Sequence, residues 1–76
     1  MSAQLAKTIR TERKRAGLSI RALGKKLVPT NPEVGRRSIY RWESGKTTPT
    51  QSSLDALAEA LEIPRETFTA NGKEVA

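Results

Sequence analysis

Apolar residues recur at helical spacing along this chain, and no segment alternates as a strand would. In AQLAKTIRTERKRAG, Leu5, Ile9, Arg13 and Ala16 fall four, four and three residues apart, which predicts one helix face. Ser2 is the expected cap at its start and Gly17 the expected stop. The next segment, IRALGKKL, follows Ser19 as N-cap and turns Ile20, Leu23, Gly24 and Leu27 inward. VPT breaks the pattern, and Asn31-Pro32-Glu33 restarts it. Asparagine caps, proline fits the first turn where its missing N–H costs nothing, and glutamate suits the positive helix end. A third helix is therefore predicted from near Pro32 to near Ser44, with Gly45 as its left-handed terminator. Gly35 inside it costs about 1 kcal/mol relative to alanine, which predicts close backbone packing on that side. After KTTP, Thr50 caps a fourth helix, QSSLDALAEALE, which buries Leu54, Leu57, Ala58 and Leu61. IPRETF reads as a short fifth turn or helix that brings Ile63 and Phe68 to the core. The fold class is all-α: a compact bundle of about five short helices over residues 1–69, with 70–76 as a flexible C-terminal tail.

The third helix divides into two unlike faces. At about 100° per residue, Gly35, Ile39 and Trp42 share one narrow arc, the core side. Glu33, Arg36, Arg37, Tyr40, Arg41 and Ser44 fill the opposite arc. That face carries three guanidiniums and a phenol, with Glu33 alone able to pair with Arg36 or Arg37. An ordinary solvated helix mixes acids among its bases. Arginine also suits base recognition, because its planar fork can donate two hydrogen bonds to guanine O6 and N7 in a major groove wide enough for a helix. Tyr40 can stack, touch a thymine methyl or donate to a phosphate.

Composition strengthens this picture and removes others. Fourteen Lys and Arg against eight Asp and Glu give a formal charge of +6 and a pI near 10.3 on 76 residues. So basic a small body attracts polyanions, nucleic acid first and an anionic membrane second; a charge kept for solubility is the bland alternative. The chain has no cysteine and no histidine, so disulfides, Cys or His metal sites, thiol nucleophiles and histidine bases are all excluded. No paired-carboxylate, Ser-Lys or phosphate-loop pattern offers catalysis, and no metal or other cofactor is expected. No signal peptide or membrane-length apolar run stands out, so the expected location is the cytoplasm. The first helix also lacks the apolar breadth and interfacial aromatics of a membrane-surface helix.

The pieces IRTERKRAGLS, RALGKKL, SIYRWESGKTTP and SLDALAEALEI, in this order, resemble the lambda-repressor/Cro-like helix-turn-helix domains, the XRE family. The likeness runs from Ile9 to Ile63 and rests on the combination: GLS, a Trp-Glu-x-Gly helix ending, a Pro four residues later, and LAEALEI. It implies a five-helix bundle whose second and third helices form the helix-turn-helix, with the third in the major groove. Base readers of the family map onto Arg36, Arg37 and Arg41, with Tyr40 able to join them. Phosphate anchors map onto Ser19 and Arg21 at the start of the second helix and onto Lys46, Thr47 and Thr48 after the third, with Ser44 closing the set. Glu43 commonly pairs in this family with a first-helix arginine, here Arg13.

Two departures stand out. Between Leu23 and Ile39 the chain is about five residues longer than the family spacing. Asn31-Pro32 suggests that the extra residues extend the third helix by about a turn; a longer loop is the alternative, and would take Glu33 and Gly35 away from the groove. Ile20 stands where the family often has a phosphate-binding Gln, so Arg21 or Lys25 is the expected substitute. The resemblance implies a small sequence-specific regulator of double-stranded DNA, a repressor of bacterial or phage type. It could form a homodimer through the fifth helix and tail, or only on DNA. The alternative is an antitoxin that binds a partner enzyme and its own promoter. No small-molecule ligand is expected.

Overall fold

The computed structural model describes residues 2–68. Four helices follow in order: α1 Ser2–Arg15, α2 Ile20–Leu27, α3 Pro32–Glu43 and α4 Gln51–Leu61. A last helical turn at 66–68 is the fifth helical segment, and no strand occurs among the described residues. Leu5 and Ile9 of α1, Leu23 of α2, Ile39 of α3, and Leu54, Leu57, Ala58 and Leu61 of α4 make one core, closed by Phe68. Leu18, Ile20, Leu27, Trp42 and Ile63 pack around it. Fully removing an aliphatic side chain from water is worth about 1.5–3 kcal/mol, so this cluster supplies the main drive that holds the short helices together. No helix among the described residues is long and apolar enough to cross a membrane.

The helix ends follow local chemistry. The Ser19 hydroxyl accepts the Ala22 N–H at 3.0 Å, and the Thr50 hydroxyl accepts the Ser53 N–H at 3.2 Å. Asn31 occupies the cap of α3, but its side chain makes no capping bond. Its backbone carbonyl already takes the Val34 N–H at 3.0 Å, a donor that a capping side chain would otherwise claim. Ser2 is the first residue of α1 itself and does not precede it. Ala16 lies beyond the end of α1 and is exposed; Ala6 takes a place in the core instead. The fourth helix stops at Leu61, one residue earlier than the pattern predicts. Glu62 closes it in the left-handed conformation, at φ 58°, and the Ile63 N–H reaches back to the Ala58 carbonyl. The tail expected at 70–76 lies outside the described residues.

α2 and α3 cross backbone to backbone at two glycines. A Cβ on Gly24 would lie 2.8 Å from the Gly35 carbonyl carbon and from Arg36 Cα, and one on Gly35 would lie 2.8 Å from the Gly24 carbonyl carbon. Neither backbone leaves room for a side chain, so only glycine on both helices allows this crossing. α3 begins at Pro32, so the residues expected as extra lie in its first turn and not in a longer loop, and Gly24–Gly35 clamps that turn against α2.

Candidate nucleic-acid interface

The buried side of α3 anchors the helix. Gly35 meets Gly24, Ile39 is fully buried, and Trp42 packs half-buried against the core. Gly45 then ends α3 at φ 79°, with its N–H on the Trp42 carbonyl at 3.1 Å and the Lys46 N–H on the Arg41 carbonyl at 2.9 Å. Lys46, Thr47 and Thr48 follow this turn, with the Thr47 N–H also reaching the Arg41 carbonyl at 3.4 Å.

A second anchor joins three segments. Arg13 of α1 donates from Nε to Glu43 Oε2 at 2.6 Å and from Nη2 to Glu43 Oε1 at 3.0 Å. Its Nη1 donates to the Leu18 carbonyl at 2.8 Å. Both side chains are nearly buried, 10% and 8% exposed. The hydrogen bonds that Arg13 donates to Glu43 raise its pKa above its ordinary value, and burial opposes them only in part. Arg13 thus fixes the turn just before Ser19 to the end of α3 just before Lys46. Those are the two places where phosphate anchors are expected.

The other side of α3 faces solvent. The Arg37 side chain is 66% exposed, Tyr40 is 54% exposed, and Arg41 is exposed with no carboxylate in ion-pair range among the described residues. Arg36 is held differently. Its Nε donates to Glu33 Oε1 at 3.2 Å and its Nη2 donates to Glu33 Oε2. The Arg37 Nη2 stands 4.0 Å from the same carboxylate. Hydrogen bonding from Arg36 lowers the Glu33 pKa, and the charges of Arg36, Arg37 and Arg21 act in the same direction. Arg21 of α2 therefore shares this electrostatic neighbourhood with the start of α3.

The remaining candidates divide by what already holds them. Arg21, Lys25 and Lys46 are exposed cations with no carboxylate in ion-pair range among the described residues. Ser19 keeps a hydroxyl proton to donate, since its cap role uses an oxygen lone pair. The Ser44 hydroxyl instead donates to the Arg41 carbonyl at 3.1 Å, so its single proton is committed within the helix. Thr48 is exposed and Thr47 half-buried on the loop after Gly45. Sequence reasoning passed over Val34, an apolar side chain left 44% exposed on the added turn. Its place three and seven residues before Arg37 and Arg41 puts it on their stripe, which was the available signal.

A short helix bolted to its scaffold by one face and presenting arginines on the other is the arrangement a helix-turn-helix needs. The chain belongs to the helix-turn-helix family of XRE, lambda-repressor-like type, whose family model, described as "Helix-turn-helix", matches residues 9–68. This is a family of DNA-binding regulatory domains, not normally enzymatic, and membership implies binding to double-stranded DNA. No curated protein and no solved structure matches the chain significantly.

Proposed function

We propose that this chain is a sequence-specific transcriptional regulator of the small repressor or Cro type, and that it lays α3 in the major groove of its operator. The observation that carries this reading is the division of α3: Ile39, Gly35 and Trp42 held to the core, and Arg37, Tyr40 and Arg41 projecting from the opposite face. In the groove, Arg36, Arg37 and Arg41 read base edges, with guanine O6 and N7 their best-matched acceptors, and Tyr40 lies beside them. Ser19, Arg21, Lys25, Lys46, Thr47 and Thr48 contact phosphates on either side and set the register. Ser44 contributes little here, because its proton is already donated to Arg41. Regulation follows from occupancy in the cytoplasm, where a bound protein blocks or recruits polymerase. On a palindromic operator, two copies bind half-sites about one helical turn apart.

The test is selection of bound duplexes from a randomised DNA pool, followed by competition between the enriched duplex and one of shuffled sequence across a salt series. A preference of roughly 10³ or more that persists as salt rises is the expected result. Equal binding to both, with a steep salt slope, would reduce the protein to an electrostatic DNA coater.

A further inference from the structure

Arg36 and Arg13 use the same edge of the guanidinium. In each, Nε and Nη2 face a glutamate that accepts both. Arg13 donates with its remaining nitrogen to the Leu18 carbonyl, so all three of its nitrogens bond inside the protein, where the side chain is nearly buried. Among the described residues Arg36 has no such second acceptor: its Nη1, and the outer N–H of Nη2, remain available beside an exposed face. That free edge is the one able to make two parallel hydrogen bonds to guanine O6 and N7.

We propose that Glu33 is a positioning and specificity-determining residue of the DNA interface, holding Arg36 so that its free edge is presented to one guanine. The proposal rests on the reading of α3 as a base-reading helix. Two observations and one physical principle support it. Glu33 lies on the added first turn, which the Gly24–Gly35 contact fixes to α2, so its carboxylate has a rigid base. A guanidinium tied on one edge has lost rotational freedom that a free arginine would lose only on binding, and such preorganisation favours the matched partner. Finally, Glu33 pairs with Arg36 and lies 4.0 Å from Arg37, so one negative charge restrains two cations that would otherwise pair with any phosphate. The same carboxylate thus strengthens the matched contact and weakens the unmatched ones.

Glu33→Gln, Arg36→Ala and the double variant test this by repeating the pool selection and the competition between enriched and shuffled duplexes. Both substitutions lie on the solvent side, and thermal unfolding checks that each of the three variants keeps the wild-type fold. Glu33→Gln is expected to lower the preference for the enriched duplex roughly tenfold or more, while binding the shuffled duplex as tightly as wild type or tighter. Its salt slope should steepen by about one ion as Arg36 turns to a phosphate. The guanine preference should be lost at the same position in Glu33→Gln and Arg36→Ala, and the double variant should add nothing to Arg36→Ala. An unchanged preference in Glu33→Gln, or additive losses in the double variant, would overturn the positioning role and leave the general reading of α3 intact. A wild-type protein that enriches no sequence would overturn both.

Discussion

Two arginine–glutamate pairs flank α3, alike in bonding and opposite in setting. Arg13 and Glu43 are nearly buried and come from positions 30 residues apart, and every guanidinium nitrogen of Arg13 is bonded to Glu43 or Leu18. Arg36 and Glu33 lie one turn apart in the open, and the arginine keeps an edge free. The interior pair ties α3 to α1 and the turn after it; the exterior pair leaves one edge of Arg36 facing solvent. Charge pairing alone therefore says little about role. The solvent around the pair and the acceptors left over decide it.

The sharpest way to break this contrast is to remove one interior partner. Glu43→Ala leaves a nearly buried guanidinium with only one acceptor, and truncating one member of such a pair costs about 3–5 kcal/mol. For a domain this small that is much of the total stability. Urea unfolding should show a loss near the lower end of that range, since water retains some access to both side chains. The double change Arg13→Met with Glu43→Leu should recover most of it, because burying apolar groups avoids the desolvation of two charges. A single-variant loss as small as that of a surface pair would erase the distinction between the two sides.

Gly35→Ala probes the same side through packing. Alanine gains about 1 kcal/mol in helix propensity, but its methyl would sit 2.8 Å from the Gly24 carbonyl carbon, which is backbone and cannot turn aside. Overpacking of this kind typically costs about 1–3 kcal/mol. The net expectation is a lower melting temperature, together with weaker DNA binding as the added turn of α3 lifts from α2. A more stable Gly35→Ala protein would mean that the crossing relaxes freely.

What could be read in the sequence was chemistry that acts within one turn of itself. Ser19, Thr50 and Gly45 act on residues a few positions away, and the spacing of Ile39 and Trp42 gives the buried arc of α3 directly. The glycine in the middle of α3 signalled a close approach, but its partner, Gly24, lies on another helix and had no local mark as such. Asn31 misled because a capping residue type sat at a cap whose donor was already taken by the backbone. Glu62 was illegible for the opposite reason: a non-glycine residue at φ 58° obeys the tertiary path of the chain and no propensity of its own. In the candidate site, Glu33 could be seen as a partner for Arg36 or Arg37 through helical spacing. The free edge of Arg36, the third bond of Arg13 and the nearness of Arg21 needed the fold.

On the solvent side, substitutions should separate binding from stability. Arg37→Ala should change unfolding free energy by less than about 0.5 kcal/mol. Its effect on the enriched duplex should be a loss of about 1–3 kcal/mol with relaxed choice at one base pair. Lys46→Ala, by contrast, should weaken enriched and shuffled duplexes alike and lower the salt slope by about one. Equal losses on both duplexes for Arg37 as well would remove the division between base and phosphate contacts.

The smallest effect examines the exterior pair without DNA. Bonding from Arg36 lowers the Glu33 pKa in the folded protein, so whatever the pair contributes is present above the ordinary carboxylate range and is lost as pH falls through that lowered value. Carboxyl carbon shifts in an NMR titration should place the Glu33 midpoint below that of a free glutamate in the wild-type protein. In Arg36→Ala the midpoint should rise toward the ordinary value, yet stay slightly below it because Arg37 and Arg21 remain nearby. Added salt should raise the wild-type midpoint too, since exposed charges are screened over about 10 Å at moderate ionic strength. A midpoint that ignores both Arg36→Ala and salt would mean that Glu33 does not hold Arg36 in solution, and the free edge of that arginine would then point wherever thermal motion takes it.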